Sequence, residues 1–134
     1  MSLCATRDIR YRSEVITNEG AVGVGLAGFG TVGSGVWNTL ARNGGLIAER
    51  AGTGLKFEIR QIVVRDPDKP REAPAPAELF TTDWKSMVEN PLVDIVLELI
   101  GGTEEAFELV AASLGAGKPV VTGNKALLAE RGAE

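Results

Sequence analysis

Residues 21–134 predict a doubly wound α/β domain with a mainly parallel sheet, and three observations carry that expectation. Short apolar runs alternate with segments of helical period, an order that requires parallel strands joined by right-handed crossovers. The first run, Val22 to Ala27, leads directly into Gly28, Gly30 and Gly33, and a helical pattern through Val32, Val36 and Leu40 follows. Residues unlike generic turn formers recur just after the strands, where an open parallel sheet forms its binding crevice.

Each element has its own local signal. Residues 1–20 are polar without sustained period and read as a leader or an added extension, leaving 21–134 as the domain. Thr31 to Asn43 is expected to be the first helix, with Gly44-Gly45 breaking or bending it and Leu46 to Arg50 adding a turn or two. Leu55 to Val64 alternates as a second strand. Asp66 to Glu78, with Pro67, Pro70, Pro74 and Pro76, is a loop, and Leu79 to Thr81 a short third strand. Asp83 caps a helix that runs to about Glu89 and stops at Asn90-Pro91. Asp94 to Ile100 reads as a buried parallel strand. After Gly101-Gly102, a helix opens at Thr103 or Glu104 with an apolar face of Phe107, Val110, Ala111 and Leu114, and Gly117 suits its C′ position. Val120 to Thr122 is the fifth strand, and a helix starts from Asn124.

The glycine spacing Gly-x-Gly-x-x-Gly, set between a strand and an amphipathic helix, is the dinucleotide fingerprint of a Rossmann-type sheet. Gly28 permits the tight turn, Gly30 lets the backbone approach a pyrophosphate, and Gly33 lets the helix pack closely. The N–H groups from about Thr31 onward then face the phosphates, where the helix dipole also favours negative charge.

Composition narrows the chemistry. The 134 residues suit one domain, and 44% hydrophobic with 24% charged residues is ordinary for a soluble globular protein. A net charge of −4 argues against nucleic acid as a partner. No apolar run approaches the roughly 20 residues of a membrane span, and the N-terminus lacks the apolar region of a secretory signal. The single Cys4 forms no internal disulfide, so a cytoplasmic setting is expected. With no histidine and one cysteine, no metal is expected. Lysine, carboxylates, hydroxyls or a cofactor must carry any reaction.

Four loops at the strand ends supply the remaining candidates: Gly28–Gly33, Arg65–Arg71, Leu99–Thr103 and Thr122–Lys125. At the adenosine ribose, an arginine accommodates the 2′-phosphate of NADP and a carboxylate favours NAD. Arg65 leans the reading to NADP, while Asp66 beside it leads to NAD if the strand end moves by one residue. Lys69 and Arg71 belong either to this site or to a solvated charged loop. Glu98, in an otherwise apolar strand, is a site residue or a group satisfied by backbone N–H. Gly101-Gly102 allows close approach of a nicotinamide ring or is a plain turn. Lys125 opens a helix where its charge opposes the dipole, which marks it for a ligand-facing role.

Taken together, GLAGFGTVGSGV, IVVRDPDKPR, VDIVLELIGG and AGKPVVTGNKALLAERGAE resemble the N-terminal nucleotide-binding domain of homoserine dehydrogenase. The resemblance runs from Val22 to Glu134, nearly all of the chain beyond its leader. It implies reversible, NADPH- or NADH-dependent reduction of aspartate 4-semialdehyde to homoserine, on the route to threonine and methionine. It also implies that the loop Gly28, Phe29, Gly30, Thr31, Val32 and Gly33 binds the pyrophosphate and that Arg65 sits by the ribose. It places Lys125 near cofactor and substrate; a cation there would aid catalysis electrostatically, and Gly101 and Gly102 are read from their own position as cofactor residues. Gly123 departs from the family's usual alanine, a change between small residues. The family's substrate-binding and dimerisation domain, with its glutamate, aspartate and proton-donating lysine, is not found in 1–134. The expectation is therefore a fragment, inactive alone, of a homodimeric or homotetrameric parent. Two rivals remain: another small aldehyde or imine oxidoreductase, such as a dihydrodipicolinate-reductase-like enzyme, and a nucleotide-sensing module without chemistry.

Overall fold

A computed structural model describes residues 21–50 and 56–134. In chain order its elements are β1 (Ala21–Ala27), α1 (Thr31–Arg50), β2 (Lys56–Val63), β3 (Phe80–Thr81), α2 (Trp84–Glu89), β4 (Ile95–Glu98), α3 (Glu104–Gly115), β5 (Val120–Thr122) and α4 (Lys125–Arg131). The five strands form one sheet in the order β3-β2-β1-β4-β5, and every pairing is parallel. All seven residues of β1 are buried, as the central strand of a sheet covered on both faces should be. The chain leaves β1 toward β2 on one side and returns to β4 on the other, so the switch point lies between β1 and β4. A crevice opens there at the carboxyl ends.

Two apolar layers flank the sheet. On one face Met87 and Val88 of α2 and Leu109 of α3 pack with Ala27, Val63 and Val96. On the other, Trp37 of α1 and Ala73 of the proline-rich loop pack with Leu26, Phe29 and Ile62. Leu109 is fully buried, and its truncation to alanine carries the usual core cost of about 2–5 kcal/mol.

The structure corrects the sequence expectation in several places. Helix α1 runs unbroken through Gly44 and Gly45 to Arg50. Each glycine costs only about 1 kcal/mol in helix propensity, and burial of Ala48 one turn beyond holds the helix on. Its packed side is Gly33 and Ala48, with Val36, Trp37 and Leu40 half-buried, whereas Val32 is 62% exposed. Helix α3 buries Ala106, Leu109 and Ser113 instead of the predicted stripe, and Ala111 and Leu114 face outward. Two overlapping stripes satisfy the same period. The small Ala106 and Ser113 let the helix approach the sheet, and the Ser113 hydroxyl donates to the Leu109 carbonyl at 2.7 Å, so its burial leaves no unpaired group. Phe107 lies half-buried beneath the Arg131 guanidinium, 3.5 Å from the ring centroid.

Strand β4 is shorter than Asp94–Ile100. Asp94 is bonded to β1 just before it, its N–H donating to the Gly23 carbonyl and its carboxylate accepting the Gly23 N–H. The Leu99 N–H still reaches the Ala27 carbonyl, but the Ile100 N–H turns back to the Glu98 side chain and ends the strand. Strand β2 stops at Val63, although the Val64 N–H bonds the Thr81 carbonyl. Leu79 closes a 3-10 turn, Ala77–Leu79, so β3 keeps only Phe80 and Thr81. The expectations for Leu55 and for 1–20 lie outside the described residues. Capping follows the sequence at two helices: Asp83 accepts from the Lys85 and Ser86 N–H groups, and Gly117 takes φ +78° after α3, while Asn124, expected only as a helix start, caps α4 by accepting from the Leu127 N–H.

Candidate functional site

The crevice at the switch point is a cleft bounded by the Gly28–Thr31 turn, by Arg65 to Glu72 after β2, and by Leu99 to Gly101 after β4. Each wall is placed by the local chemistry of its own chain. Gly28 takes φ +100°, and a Cβ there would stand 2.8 Å from the Leu99 carbonyl oxygen, so only glycine lets β1 turn this close to β4. Gly33, in the first turn of α1, has room only for hydrogen, because a Cβ would overlap the Gly28 carbonyl. Gly30 differs from both: nothing lies within 4 Å of its notional Cβ, which faces open space. The first α1 bond runs from the Ser34 N–H to the Gly30 carbonyl at 2.9 Å. Helix geometry leaves the N–H groups before it without intrahelical partners, and no acidic residue occupies that turn. The arrangement suits an anion lying over the glycine turn.

The residues singled out from sequence divide into two groups. Gly28, Phe29, Gly30, Thr31, Arg65 and Gly101 line the cleft. Val32, Gly33, Gly102 and Lys125 are not among its lining residues. Val32 points outward, Gly33 lies under the turn, and Lys125 is exposed at the start of α4. Lys125 is nevertheless held to the same end of the sheet, since the neighbouring Asn124 side chain donates to the Gly102 carbonyl at 2.6 Å.

Beyond β2, Arg65 and Asp66 both line the cleft. The Arg65 side chain is 79% exposed, with a loose 3.8 Å contact to Glu105 of α3, an ion pair worth at most about 1 kcal/mol at such a surface position. Asp66 accepts the Asp68 N–H in a local turn. Arg71 also lines the cleft and is tied into its own loop. Its guanidinium donates to the carbonyls of Asp66, Pro67 and Lys69 and lies 5.0 Å from the Phe80 ring centroid, stapling the loop.

Glu98 resolves toward the satisfied group. It is fully buried, and one carboxylate oxygen accepts the Ile100 N–H while the other accepts the Thr122 hydroxyl. Sequence reasoning missed Thr122 and Asn124 as site-building residues. The Thr122 oxygen accepts the Asn124 N–H, and the Asn124 amide spans to the carbonyls of Ile100 and Gly102. The only signal was a hydroxyl and an amide just ahead of Lys125, which caps alone explain. Away from the cleft, Lys118 donates to the Asn90 carbonyl. Burial holds its ammonium pKa below the usual lysine value, against the opposing pull of the Asp94 carboxylate.

A parallel sheet with a glycine turn at its switch point, and a cleft shaped by that turn, define a dinucleotide-binding domain of the Rossmann class. Residues 28–134 match the family model described as the NAD-binding domain of homoserine dehydrogenase. The chain belongs to the homoserine dehydrogenase family, as its NAD-binding domain. It is 51% identical over 114 residues to the homoserine dehydrogenase of Corynebacterium glutamicum, a match covering 85% of this chain and 25% of that protein. With the enzyme of Pseudomonas aeruginosa it shares 46% identity over 113 residues, 84% of this chain and 25% of that one. The crystal structure of a homoserine dehydrogenase from Thiobacillus denitrificans superposes with a TM-score of 0.76 at 45% identity, covering 84% of this chain and 25% of that one. The chain thus spans about a quarter of the length of the relatives it matches. Among the described residues, no helix is long and apolar enough to cross a membrane.

Proposed function

We propose that this chain is the cofactor-holding part of an enzyme that interconverts aspartate 4-semialdehyde and homoserine. The observation that carries the reading is the cleft itself: a glycine turn at the switch point whose central residue, Gly30, leaves open space where a side chain would stand. A bound nicotinamide supplies the hydride equivalent for carbonyl reduction. The chain's own residues bind and orient it. The N–H groups of Thr31, Val32 and Gly33 in the α1 first turn, with Phe29 and Gly30 beside them, receive the pyrophosphate. Leu99 to Gly101 face the nicotinamide half, with Gly102 completing the turn.

NADP is favoured over NAD. Arg65 is exposed beside the adenosine end and only loosely engaged by Glu105, so its guanidinium is available to a 2′-phosphate through charge-assisted hydrogen bonds. Lys125, at the same end of the sheet, contributes positive charge near the reacting carbonyl. Substrate binding and proton donation belong to residues outside this sequence, as does assembly of the whole enzyme into a homodimer or homotetramer. The threonine and methionine route and a cytoplasmic setting follow from the same assignment. Calorimetric titration with NADPH and NADH tests the reading: binding of both, tighter for NADPH, is expected. Absence of binding by a folded chain overturns it.

A further inference from the structure

The buried carboxylate of Glu98 calls for a reason, because a charged group taken from water costs several kcal/mol unless its partners compensate. Its place in the register supplies the partners. Ala27 pairs with Glu98, and Glu98 with Thr122, so the three residues form one rung at the carboxyl end of β1, β4 and β5. Side chains on one rung of a parallel sheet project to the same face, which brings the Thr122 hydroxyl onto the Glu98 carboxylate. The hydrogen bonds then converge on the carboxylate from two sides. The Asn124 N–H donates to Thr122, Thr122 donates to Glu98, and the other Glu98 oxygen takes the Ile100 N–H. The Asn124 amide closes the circuit on the carbonyls of Ile100 and Gly102 while its oxygen caps α4. The turn after β4 and the start of α4 are therefore fastened to each other at both ends of the circuit. Neither turn is fastened to the glycine loop by a side chain of this circuit.

We propose that Glu98 is a positioning residue: through Thr122 and Asn124 it locks the Leu99–Thr103 turn, which faces the nicotinamide half of the cofactor, to the α4 start that carries Lys125. The inference rests on the dinucleotide-binding reading above and adds which half of the cofactor the clamp serves. The adenosine half is held by the β2 side of the cleft, which the circuit does not touch. Loss of the clamp in a folded chain should therefore weaken binding of the nicotinamide half and leave binding of the adenosine half unchanged.

The experiment compares NADPH with 2′-phospho-ADP-ribose, the same molecule without nicotinamide, with NADH and ADP-ribose run in parallel. Dissociation constants are measured on the 134-residue chain and on Thr122→Val, Thr122→Ser and Glu98→Gln, each checked for folding by circular dichroism. Thr122→Val keeps the shape and removes the hydroxyl, and should weaken NADPH at least tenfold while 2′-phospho-ADP-ribose stays within twofold. Thr122→Ser restores the hydroxyl and should return NADPH to within about threefold of the unmodified chain. If Thr122→Val does not fold, Glu98→Gln, which retains volume and one acceptor, carries the same comparison. Equal loss for both ligands, or loss for neither, overturns the positioning role. Equal affinity of the unmodified chain for the two ligands also overturns it, while leaving the dinucleotide-binding reading intact. Binding of no ligand by the unmodified, folded chain brings down that reading and this inference with it.

Discussion

The glycine turn after β1 and the paired turns after β4 and β5 sit at the same end of the same sheet, yet they are built by opposite means. The first is shaped by what is absent. Gly28 and Gly33 have no room for a Cβ, and the chain packs on itself through backbone alone. The second is shaped by what is present: Glu98, Thr122 and Asn124 join two turns through side-chain hydrogen bonds. A turn made by omission is rigid because backbone atoms are in contact. A turn made by hydrogen bonds is as firm as its least satisfied member. The two constructions therefore fail differently.

The largest effects should come from striking each construction at its centre. Gly28→Ala puts a Cβ against the Leu99 carbonyl at a positive φ, and should destabilise the chain by about 2–4 kcal/mol, read as a lower urea midpoint. Glu98→Ala leaves the Ile100 N–H and the Thr122 hydroxyl without their shared acceptor and opens a cavity, for a similar loss of about 2–4 kcal/mol. Should Glu98→Ala unfold at the unmodified midpoint, the second turn does not depend on its carboxylate.

Gly30→Val separates structure from site. Its side chain enters open space, so stability should move by less than about 1 kcal/mol. NADPH affinity should fall at least 100-fold, about 2.7 kcal/mol. Positive φ is found at Gly28 and not at Gly30, so the valine meets steric exclusion of the ligand without backbone strain. Undiminished affinity by calorimetry would take the glycine turn out of the site.

On the β2 side, Arg65→Ala should narrow the ratio of NADPH to NADH affinity about five- to tenfold, the roughly 1 kcal/mol left to an exposed charge after screening. An unchanged ratio points to Asp66 at the ribose. The smallest effect provides the control: Gly44→Ala, in an exposed helical stretch with nothing within 4 Å of its Cβ, should raise stability by about 0.5–1 kcal/mol. Gly44 is then shown to be costly where neither a turn nor a close approach requires it.

Much of this was legible in the chain. The strand–glycine–helix order, the cap at Asp83, the helix start at Asn124, and Gly117 as a C′ residue all follow from interactions within a few residues of each other. Those signals sufficed for the element order and the parallel sheet. Where sequence reasoning erred, two local solutions were equally good. Phe107, Val110, Ala111 and Leu114 satisfy the helical period as well as Ala106, Leu109 and Ser113 do. Closeness of approach to the sheet, which hydrophobicity does not encode, chose between them. The Gly44-Gly45 break failed for a related reason, since burial of Ala48 outweighed a small propensity cost.

By itself the sequence determined the glycine turn, because Gly28, Gly30 and Gly33 act through missing atoms whose consequences are local. Only the tertiary structure decided the role of Glu98. Ile100 is a local partner, but Thr122 lies 24 residues away and meets Glu98 only because β4 and β5 pair with Glu98 opposite Thr122. A shift of that register by one residue would turn the hydroxyl to the other face and leave a buried carboxylate one partner short.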